Sequence, residues 1–435
     1  MMCLLMNKNI LLCVFLLVLT TTLGTVNAYQ SIDLPTFTTQ TFAPETFKGV
    51  MKAKLFVSPD CSFNAVVDAL NSAQTSLFVE MYSFSNPFIL DVIGNLSAKG
   101  VNVRVILQEH HASYYEDQYT YWVAYQLYLR GAKVFWASDE FTYTHAKFAI
   151  IDNSTILIES ENWAKSGIPK NPTYGNRGWG VIIENGDLAE YFLDVFLYDL
   201  SIAEPYDPSA VSHGSSVSYY VPSGHYAPAF NLESVNEYME VEPILSPDFS
   251  EDLIIQLINS ANTSLYIEQM YIYSSLTDII NAIVNAKKRG VDVKVILEPK
   301  ASQNNQTVKI LVQHGIPVAY ANTSHYGSPH QFETMHNKGM IIDGKIVLIS
   351  SINWSPTSLR DNREVGVIIK NQHIAQYYQQ VFLYDWSNAA EIFLGQVVPG
   401  GPYAPLGLLV IRIIGVIIVI IVIIIIILYK KKKSS

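Results

Sequence analysis

Two nine-residue segments of this chain, THAKFAIID at 144–152 and MHNKGMIID at 335–343, share one spacing of histidine, lysine and aspartate. On a β-strand, residues two apart point to the same face, so each histidine lies beside its lysine. One such pair is ordinary strand surface, but two copies predict a site with two imidazoles and two ammonium groups. The candidate catalytic residues are His145, Lys147 and Asp152 in the first copy and His336, Lys338 and Asp343 in the second.

The two aspartates stand apart from the other four residues. Asp152 and Asp343 each lie seven positions after the histidine, an odd number that places them on the opposite face of a strand. Each begins a hairpin-turn signal, Asp152-Asn153 or Asp343-Gly344, before another apolar run. The spacing therefore favours a structural role in the turn, while the shared motif keeps both aspartates in the catalytic set.

Asparagines recur 17 positions after each histidine, as Asn162 and Asn353, each before a tryptophan. A metal site is the first alternative for paired histidines, but the neighbouring lysines repel a cation and no carboxylate shares their face. Lysine charge and amide donors suit a phosphoryl group that gains charge during reaction. One imidazole can attack phosphorus while the other protonates the leaving oxygen. No metal or other cofactor is expected.

The motifs end a longer internal repeat. NSAQTSLFVE at 71–80 matches NSANTSLYIE at 259–268, and VFLYD at 195–199 matches the same letters at 381–385. Apolar runs alternate between strand and helix spacing in both copies, which predicts a sheet covered by helices. We therefore expect an α/β fold of two tandem, pseudo-twofold-related α/β/α sandwich halves that share one active site. The halves are predicted at residues 50–200 and 246–395, with a linker at 201–245.

The two ends of the chain resemble targeting and anchoring segments. Residues 1–28 read as a signal peptide cut after Ala28, and 406–428 are apolar and long enough to cross a bilayer. Residues 29–49 and 396–405 are predicted stalks, and the basic tail at 429–435 marks the cytoplasmic side. These segments predict a single-pass membrane protein with a lumenal or extracellular body. The tail lysines fit either an endoplasmic-reticulum retrieval signal or a plain stop.

The predicted body is acidic and has a single cysteine. The formal net charge of −10 understates its acidity, because Lys8, Arg412 and Lys430 to Lys433 lie in the terminal segments. This charge disfavours tight binding of duplex nucleic acid. Cys61 alone lies outside the signal peptide, which excludes an internal disulfide. Glycosylation is predicted at five sequons, and a sixth at Asn353 is expected to stay unmodified. The five are Asn95, Asn153, Asn262, Asn305 and Asn322.

The doubled H-x-K-x4-D pattern, each copy followed by Asn-Trp, resembles the phospholipase D superfamily over about residues 50–393. The tethered lumenal layout is most similar to the endolysosomal phospholipase D-like branch of that superfamily. The resemblance implies metal-independent hydrolysis of a phosphodiester in two steps. His145 would form the phosphohistidine, and His336 would act as acid and then as base. Four residues would hold the phosphate: Lys147, Lys338, Asn162 and Asn353.

The resemblance also implies a glutamate shortly after each motif that orients a histidine. Glu364 matches this pattern in the second half, whereas Gly178 stands at the aligned position of the first half. This difference predicts that one histidine lacks its carboxylate partner, with slower turnover as the expected result.

Three functions remain open from the sequence. The favoured one is hydrolysis of a membrane phospholipid, such as phosphatidylcholine, to phosphatidic acid and a free head group. The second is 5′-exonuclease activity on single-stranded nucleic acid, with bases stacked on Trp136, Tyr143 or Tyr326. The third is a catalytically weak or silent binding protein. His110 and His111 are candidates for substrate contact, and the endoplasmic reticulum or the endolysosomal system is the expected location.

Overall fold

A computed structural model describes residues 42–210, 212–325 and 329–392. The signal peptide, most of the first stalk, the second stalk, the predicted span and the basic tail lie outside these residues. Within them, no helix has the length and apolar character needed to cross a bilayer.

The first half alternates strands and helices as its sequence predicts. Its strands are β1 (Phe47–Ser58), β2 (Ser76–Met81), β3 (Asn102–Leu107), β4 (Lys133–Trp136), β5 (Lys147–Ile151), β6 (Thr155–Glu159), β7 (Gly178–Glu184) and β8 (Glu204–Pro205). Its helices are α1 (Ser62–Asn71), α2 (Pro87–Ala98), α3 (Tyr114–Leu129) and α4 (Gly186–Ile202).

The second half repeats this order and has one additional short helix. Its strands are β9 (Glu233–Ser246), β10 (Ser264–Gln269), β11 (Asp292–Leu297), β12 (Val318–Tyr320), β13 (Lys338–Ile342), β14 (Ile346–Ser350), β15 (Glu364–Lys370) and β16 (Ala390–Ile392). Its helices are α5 (Ser250–Ser260), α6 (Thr277–Lys288), α7 (Asn304–Gln313), α8 (Pro356–Arg360) and α9 (Gln372–Asn388).

The strands form one mixed sheet in which the two halves meet at the β1–β9 pair. The order is β16-β12-β11-β10-β13-β14-β15-β9-β1-β7-β6-β5-β2-β3-β4-β8. In each half the three consecutive strands β2–β3–β4 or β10–β11–β12 are parallel, and the motif strand pairs antiparallel with the first of them. This order reads alike from both ends, so the halves are related by pseudo-twofold symmetry about the β1–β9 pair.

Helices cover both faces of the sheet, which confirms the predicted sandwich. Leu77 and Val79 of β2 pack in a core with residues of α1, α2 and α3, whereas Phe78 between them stacks on Phe196 of α4 with ring centres 5.4 Å apart. In the second half Tyr266 stacks in the same way on Phe382 of α9, at 5.0 Å. Alternate residues of a strand thus serve two helical layers, as a sheet buried on both faces requires.

Several elements differ from the sequence prediction. Strand β1 begins at Phe47, inside the predicted stalk at 29–49, and β8 lies inside the predicted linker. Much of β9, from Glu233 onward, lies within residues 201–245, which were expected to be a linker. It alternates exposed and buried residues and pairs with both β1 and β15, so this segment is a central strand. Helix α3 begins at Tyr114, whereas the apolar spacing predicts a start at Tyr121. The spacing does not show the first turn, because that turn carries acidic side chains and is half-exposed.

Candidate active site

Each histidine is held by a main-chain bridge to the opposite half of the molecule. The His145 N–H donates to the carbonyl of Arg363 at 2.8 Å, and the His336 N–H donates to the carbonyl of Arg177 at 2.9 Å. Both histidines stand two residues before a motif strand, β5 or β13. The segment that carries each histidine is therefore fixed by the other half, and the two copies of the motif converge on one site.

His145 contacts a buried carboxylate of the second half. Its Nδ1 lies 2.8 Å from Oε2 of Glu364, which also accepts a hydrogen bond from the Ser351 hydroxyl at 2.7 Å. Burial lowers the pKa of His145 well below its ordinary value, and Lys147 and Lys338 lower it further. Burial raises the pKa of Glu364 to about 7. A neutral imidazole whose Nδ1–H faces a carboxylate leaves Nε2 with a free lone pair.

His336 contacts a carboxylate as well, contrary to the expectation drawn from Gly178. Its Nδ1 lies 3.3 Å from Oε2 of Glu161, a buried residue of the first half. Glu161 follows β6 and accepts a hydrogen bond from Asn176 at 3.0 Å. The glycine at the aligned position therefore does not leave a histidine without a carboxylate. The sequence does not reveal Glu161, because the resemblance places the orienting glutamate at the position that Gly178 occupies.

Glu364 serves a different histidine from the one its place in the sequence suggests. It belongs to the second half but contacts His145 of the first, and Glu161 of the first half contacts His336 of the second. The support is therefore crossed between halves. Spacing along the chain could not show this, because it depends on how the two halves pack.

Both motif lysines are fully buried beside their histidines. Lys147 donates from Nζ to the carbonyl of His145 at 2.6 Å, and Lys338 donates to the carbonyl of His336. Burial lowers the pKa of Lys147 to about 8, against the opposing effect of Glu364, and lowers that of Lys338 well below its ordinary value. Neither lysine has an ion-pair partner within 4 Å among the residues that the structure describes, and two such buried ammonium groups suit an incoming anion.

The two asparagines carry buried amide oxygens that lack a hydrogen-bond partner within the described residues. Asn353 is 4% exposed and Asn162 is half-buried. Both follow the strand that pairs with a motif strand, β6 or β14. The tryptophans after them pack inward, and Trp163 donates to Glu159 at 2.6 Å. Asn162 directly follows Glu161, and Asn353 lies two residues after Ser351, both of which belong to the histidine contacts described above. The role of the asparagines in binding phosphate stays a prediction.

Asp152 and Asp343 do not reach the site. Asp152 accepts from the main-chain N–H groups of Gln74, Thr75 and Ser76 at 2.7 to 2.9 Å, at the far end of β5 from Lys147. Asp343 binds the main chain of residues 262–264 in the same way. The structure thus excludes both aspartates from direct chemistry and supports the structural role that their spacing favours.

An aromatic residue that the sequence did not single out lines the site. Tyr82 directly follows β2, and its ring centre lies 4.7 Å from that of His145 and 5.4 Å from Nζ of Lys147. Its position at the carboxyl end of a parallel strand is the signal that could have found it. Its ring is also 4.8 Å from that of buried His111, which pairs with Asp117 at 2.9 Å. His111 therefore supports Tyr82 and is not free to touch substrate.

The other aromatic candidates differ in place. Tyr143 lies 5.8 Å from Tyr82 and so borders the site, whereas Trp136 is buried in the core between Tyr121 and Tyr206. Tyr326 lies outside the described residues. Trp136 is therefore excluded as a surface on which bases stack.

Neither the site nor the rest of the described chain contains three or more histidine, cysteine or acidic side chains grouped so as to hold a metal ion. The charged groups that the site offers to a substrate are its lysines. The arrangement can bind an anion, supply an imidazole nucleophile and supply a second imidazole for proton transfer.

A family model described as the phospholipase D (PLD)-like domain of cardiolipin synthase matches residues 66–200 and again 254–386. The two matches cover more than half of the chain, each includes one motif, and the fold and paired histidines agree with it. The chain belongs to the phospholipase D superfamily.

Individual relatives agree with this assignment. Mitochondrial cardiolipin hydrolase of Danio rerio is 30% identical over 135 residues, 31% of this chain and 55% of that protein. A phospholipase D of Rickettsia typhi is 30% identical over 128 residues, 29% of this chain and 58% of that protein. The chain thus spans little more than half the length of these relatives. Phosphatidylserine synthase of Haemophilus influenzae shares the fold at 13% identity, with a TM-score of 0.57 over 79% of this chain and 89% of that one.

Proposed function

We propose that this protein is a phospholipase D-type phosphodiesterase that cleaves membrane phospholipids, such as phosphatidylcholine, to phosphatidic acid and a free head group. The observation that carries the proposal is the crossed pair of His145–Glu364 and His336–Glu161 beside two buried lysines. Such a pair supplies a nucleophile and an acid, each with a carboxylate partner, around one anion.

In the first step Nε2 of His145 attacks phosphorus, and the bond from phosphorus to the head-group oxygen breaks. His336, protonated, donates its proton to that oxygen, so that the head group leaves as a neutral alcohol. Lys147 and Lys338 hold the non-bridging oxygens, whose charge grows in the transition state. The product on the enzyme is a phosphohistidine in which the phosphatidyl group is bound through phosphorus to Nε2 of His145.

In the second step His336, now neutral, takes a proton from water. The oxygen of that water attacks phosphorus, the phosphorus–nitrogen bond breaks, and its electrons return to Nε2 of His145. Phosphatidic acid leaves, and both histidines regain their first protonation states. No step calls for a metal ion, because the buried lysines carry the positive charge.

The choice of a phospholipid rests on chemistry and on relatives. The two matched relatives are named cardiolipin hydrolase and phospholipase D, and both names denote enzymes that act on phospholipids. The acidic body also disfavours a long polyanion. The predicted span at 406–428 and the lumenal location in the endoplasmic reticulum or the endolysosomal system would place the site near lipid, and both are part of this proposal.

The substrate class is tested with the purified full chain in detergent, offered phosphatidylcholine in mixed micelles and a 5′-hydroxyl single-stranded oligonucleotide in parallel. We expect choline release and no shortening of the oligonucleotide. His145→Asn and His336→Asn each abolish release, whereas His314→Asn, at an exposed histidine that directly follows α7, does not. EDTA leaves the rate unchanged. Shortening of the oligonucleotide alone identifies a nuclease, and loss of activity in EDTA contradicts the metal-free mechanism.

A further inference from the structure

The carboxylates that support the two histidines come from unlike positions of the repeat. In sheet register Glu159 lies opposite Gly180 and Ser350 lies opposite Gly366, so β6 aligns with β14 and β7 with β15. Glu161 therefore corresponds to Ile352, and Gly178 corresponds to Glu364. Each half has one carboxylate and one residue without charge at these two positions, but in opposite order.

Gly178 provides the space that Glu161 occupies. A Cβ atom at Gly178 would lie 2.5 Å from Oε1 and 2.6 Å from Cγ of Glu161, and 2.6 Å from Oγ of Ser160. Real atoms of this kind essentially never approach so closely, so any larger side chain at Gly178 displaces Glu161. The counterpart of Ser160 in the second half, Ser351, accommodates Glu364 by donating a hydrogen bond to it. The two differences between the halves are thus sterically linked, and each makes the other possible.

Glu161 and His336 also present unpaired atoms. Oε1 of Glu161 and Nδ1 of His336 are both buried, and neither has a hydrogen-bond partner among the described residues. Buried polar atoms without a partner cost free energy, and Oε2 of the same Glu161 lies 3.3 Å from Nδ1 of His336, at the distance of a hydrogen bond. Burial and Lys338 lower the pKa of His336, and the Glu161 carboxylate opposes them.

From these observations we infer that Glu161 is the positioning residue for His336. Its carboxylate stands just after β6, whereas the second half has its carboxylate at the start of β15. It holds Nδ1–H of His336 so that Nε2 faces the leaving oxygen, as Glu364 does for His145. The role in proton transfer rests on the proposed function, whereas the contact itself does not. Although the first half has glycine at position 178, it therefore still supplies a carboxylate to His336.

The test uses four variants of the full chain: Glu161→Gln, Glu161→Ile, Gly178→Glu and the double change Glu161→Ile with Gly178→Glu. The control is Glu184→Gln, an exposed glutamate at the far end of β7. Three quantities are measured: the pKa of His336 by ring NMR of histidine-labelled protein, assigned with His336→Asn; kcat/KM against pH; and the melting temperature.

Glu161→Gln is expected to lower the pKa of His336, to move the basic limb of kcat/KM to lower pH, and to reduce kcat/KM by about 10- to 100-fold. Gly178→Glu alone clashes and melts at a lower temperature. The double variant, which copies the second half, regains both stability and the pKa of His336. The control changes none of the three quantities.

An unchanged pKa of His336 in Glu161→Gln overturns the inference, as does a double variant no more stable than Gly178→Glu. The NMR and melting measurements require no substrate. A wild-type chain inactive on every phosphodiester would therefore refute the proposed function while still leaving the contact between Glu161 and His336 to be judged.

Discussion

The two histidines differ from free imidazoles because the protein removes them from water. Burial is the largest effect on both, and it lowers the pKa of His145 and of His336 below the ordinary value of 6.5. For a nucleophile this is an advantage, since the neutral form attacks. For a proton donor it sets a limit, because the donor works only below its pKa.

This limit predicts the pH dependence of the reaction. His336 must be protonated in the free enzyme, and its pKa lies below the ordinary value. We therefore expect kcat/KM to fall as the pH rises, with the fall beginning below about pH 6.5. The measurement is kcat/KM of the full chain between about pH 4 and 8 on a soluble short-chain phospholipid. A value that stays constant up to pH 8 would contradict the assignment of His336 as the acid.

The sequence predicted the chemical groups of the site better than their partners. His145, Lys147, His336 and Lys338 follow from a spacing of two on a strand, which is a local property. The contact of Glu161 with His336 depends on the packing of two halves and on space left by a glycine, so no spacing along the chain reveals it.

At the scale of the elements, the motif aspartates connect each hairpin to the strand beside it. Asp152 adopts φ of 51° and Asp343 of 56°, at the turns that join β5 to β6 and β13 to β14. Such left-handed conformations suit the tight turns of hairpins. Each carboxylate also binds consecutive main-chain N–H groups that lead into β2 or β10. The turn thereby sets the register in which Lys147 and Lys338 begin their strands.

Replacing Asp152 should therefore reduce stability more than chemistry. We expect Asp152→Ala to lower the free energy of unfolding by about 1.5–3 kcal/mol, because charged hydrogen bonds to the main chain are lost. The kcat of the folded fraction should stay within a few-fold of wild type. Asp68→Ala, at an exposed position of α1, should change stability by less than about 0.5 kcal/mol. A large loss of kcat with unchanged stability would return Asp152 to the catalytic set.

The same aspartate should also show a pH dependence of known sign. Burial alone would raise the pKa of Asp152, but hydrogen bonds from the main chain of Ser76, Thr75 and Gln74 lower it below its ordinary value. A lowered folded-state pKa gives stability that is complete above the ordinary value and is lost as pH falls through the folded value. The difference between wild type and Asp152→Ala should therefore shrink below about pH 4.

The alternation of strands and helices could be predicted from the sequence, because the apolar residues of each segment follow the spacing of its own type of element. Examples are β2, β3 and α2. The central strand β9 was not readable as such, since Ser, Pro and Tyr before it resemble a linker. Its membership in the sheet is decided by pairing with β1, a contact between the two halves.

At the scale of the molecule, two buried arginines join the halves. Arg363 binds Asp199 of the first half at 2.9 Å and Asp248 of the second at 2.8 Å. Arg177 binds Asp60 and Asp385 in the symmetrical arrangement. The main-chain carbonyls of the same two arginines accept hydrogen bonds from the main-chain N–H groups of the catalytic histidines. The residues that join the halves therefore also fix the positions of the two histidines.

Arg363→Met should therefore destabilise the whole molecule. It removes the cation that neutralises buried Asp199 and half-buried Asp248. We therefore expect a loss of about 3–5 kcal/mol in urea unfolding, with both halves unfolding together. The control is Arg360→Met, three residues before Arg363. It removes only an exposed ion pair with Glu251 and should cost about 0–1 kcal/mol. Equal losses in the two variants would show that the buried link does not hold the halves.

The central claim is that one shared site forms a covalent bond to His145, and it is tested most directly by trapping that bond. The full chain carrying His336→Asn is mixed with a p-nitrophenyl phosphodiester. The first step still proceeds, because p-nitrophenolate leaves without a proton donor. The second step is blocked, because no base remains to activate water. We predict a burst of one equivalent of p-nitrophenolate and a phosphoryl adduct on His145 by mass spectrometry. No burst, or an adduct on any other residue, would contradict the mechanism.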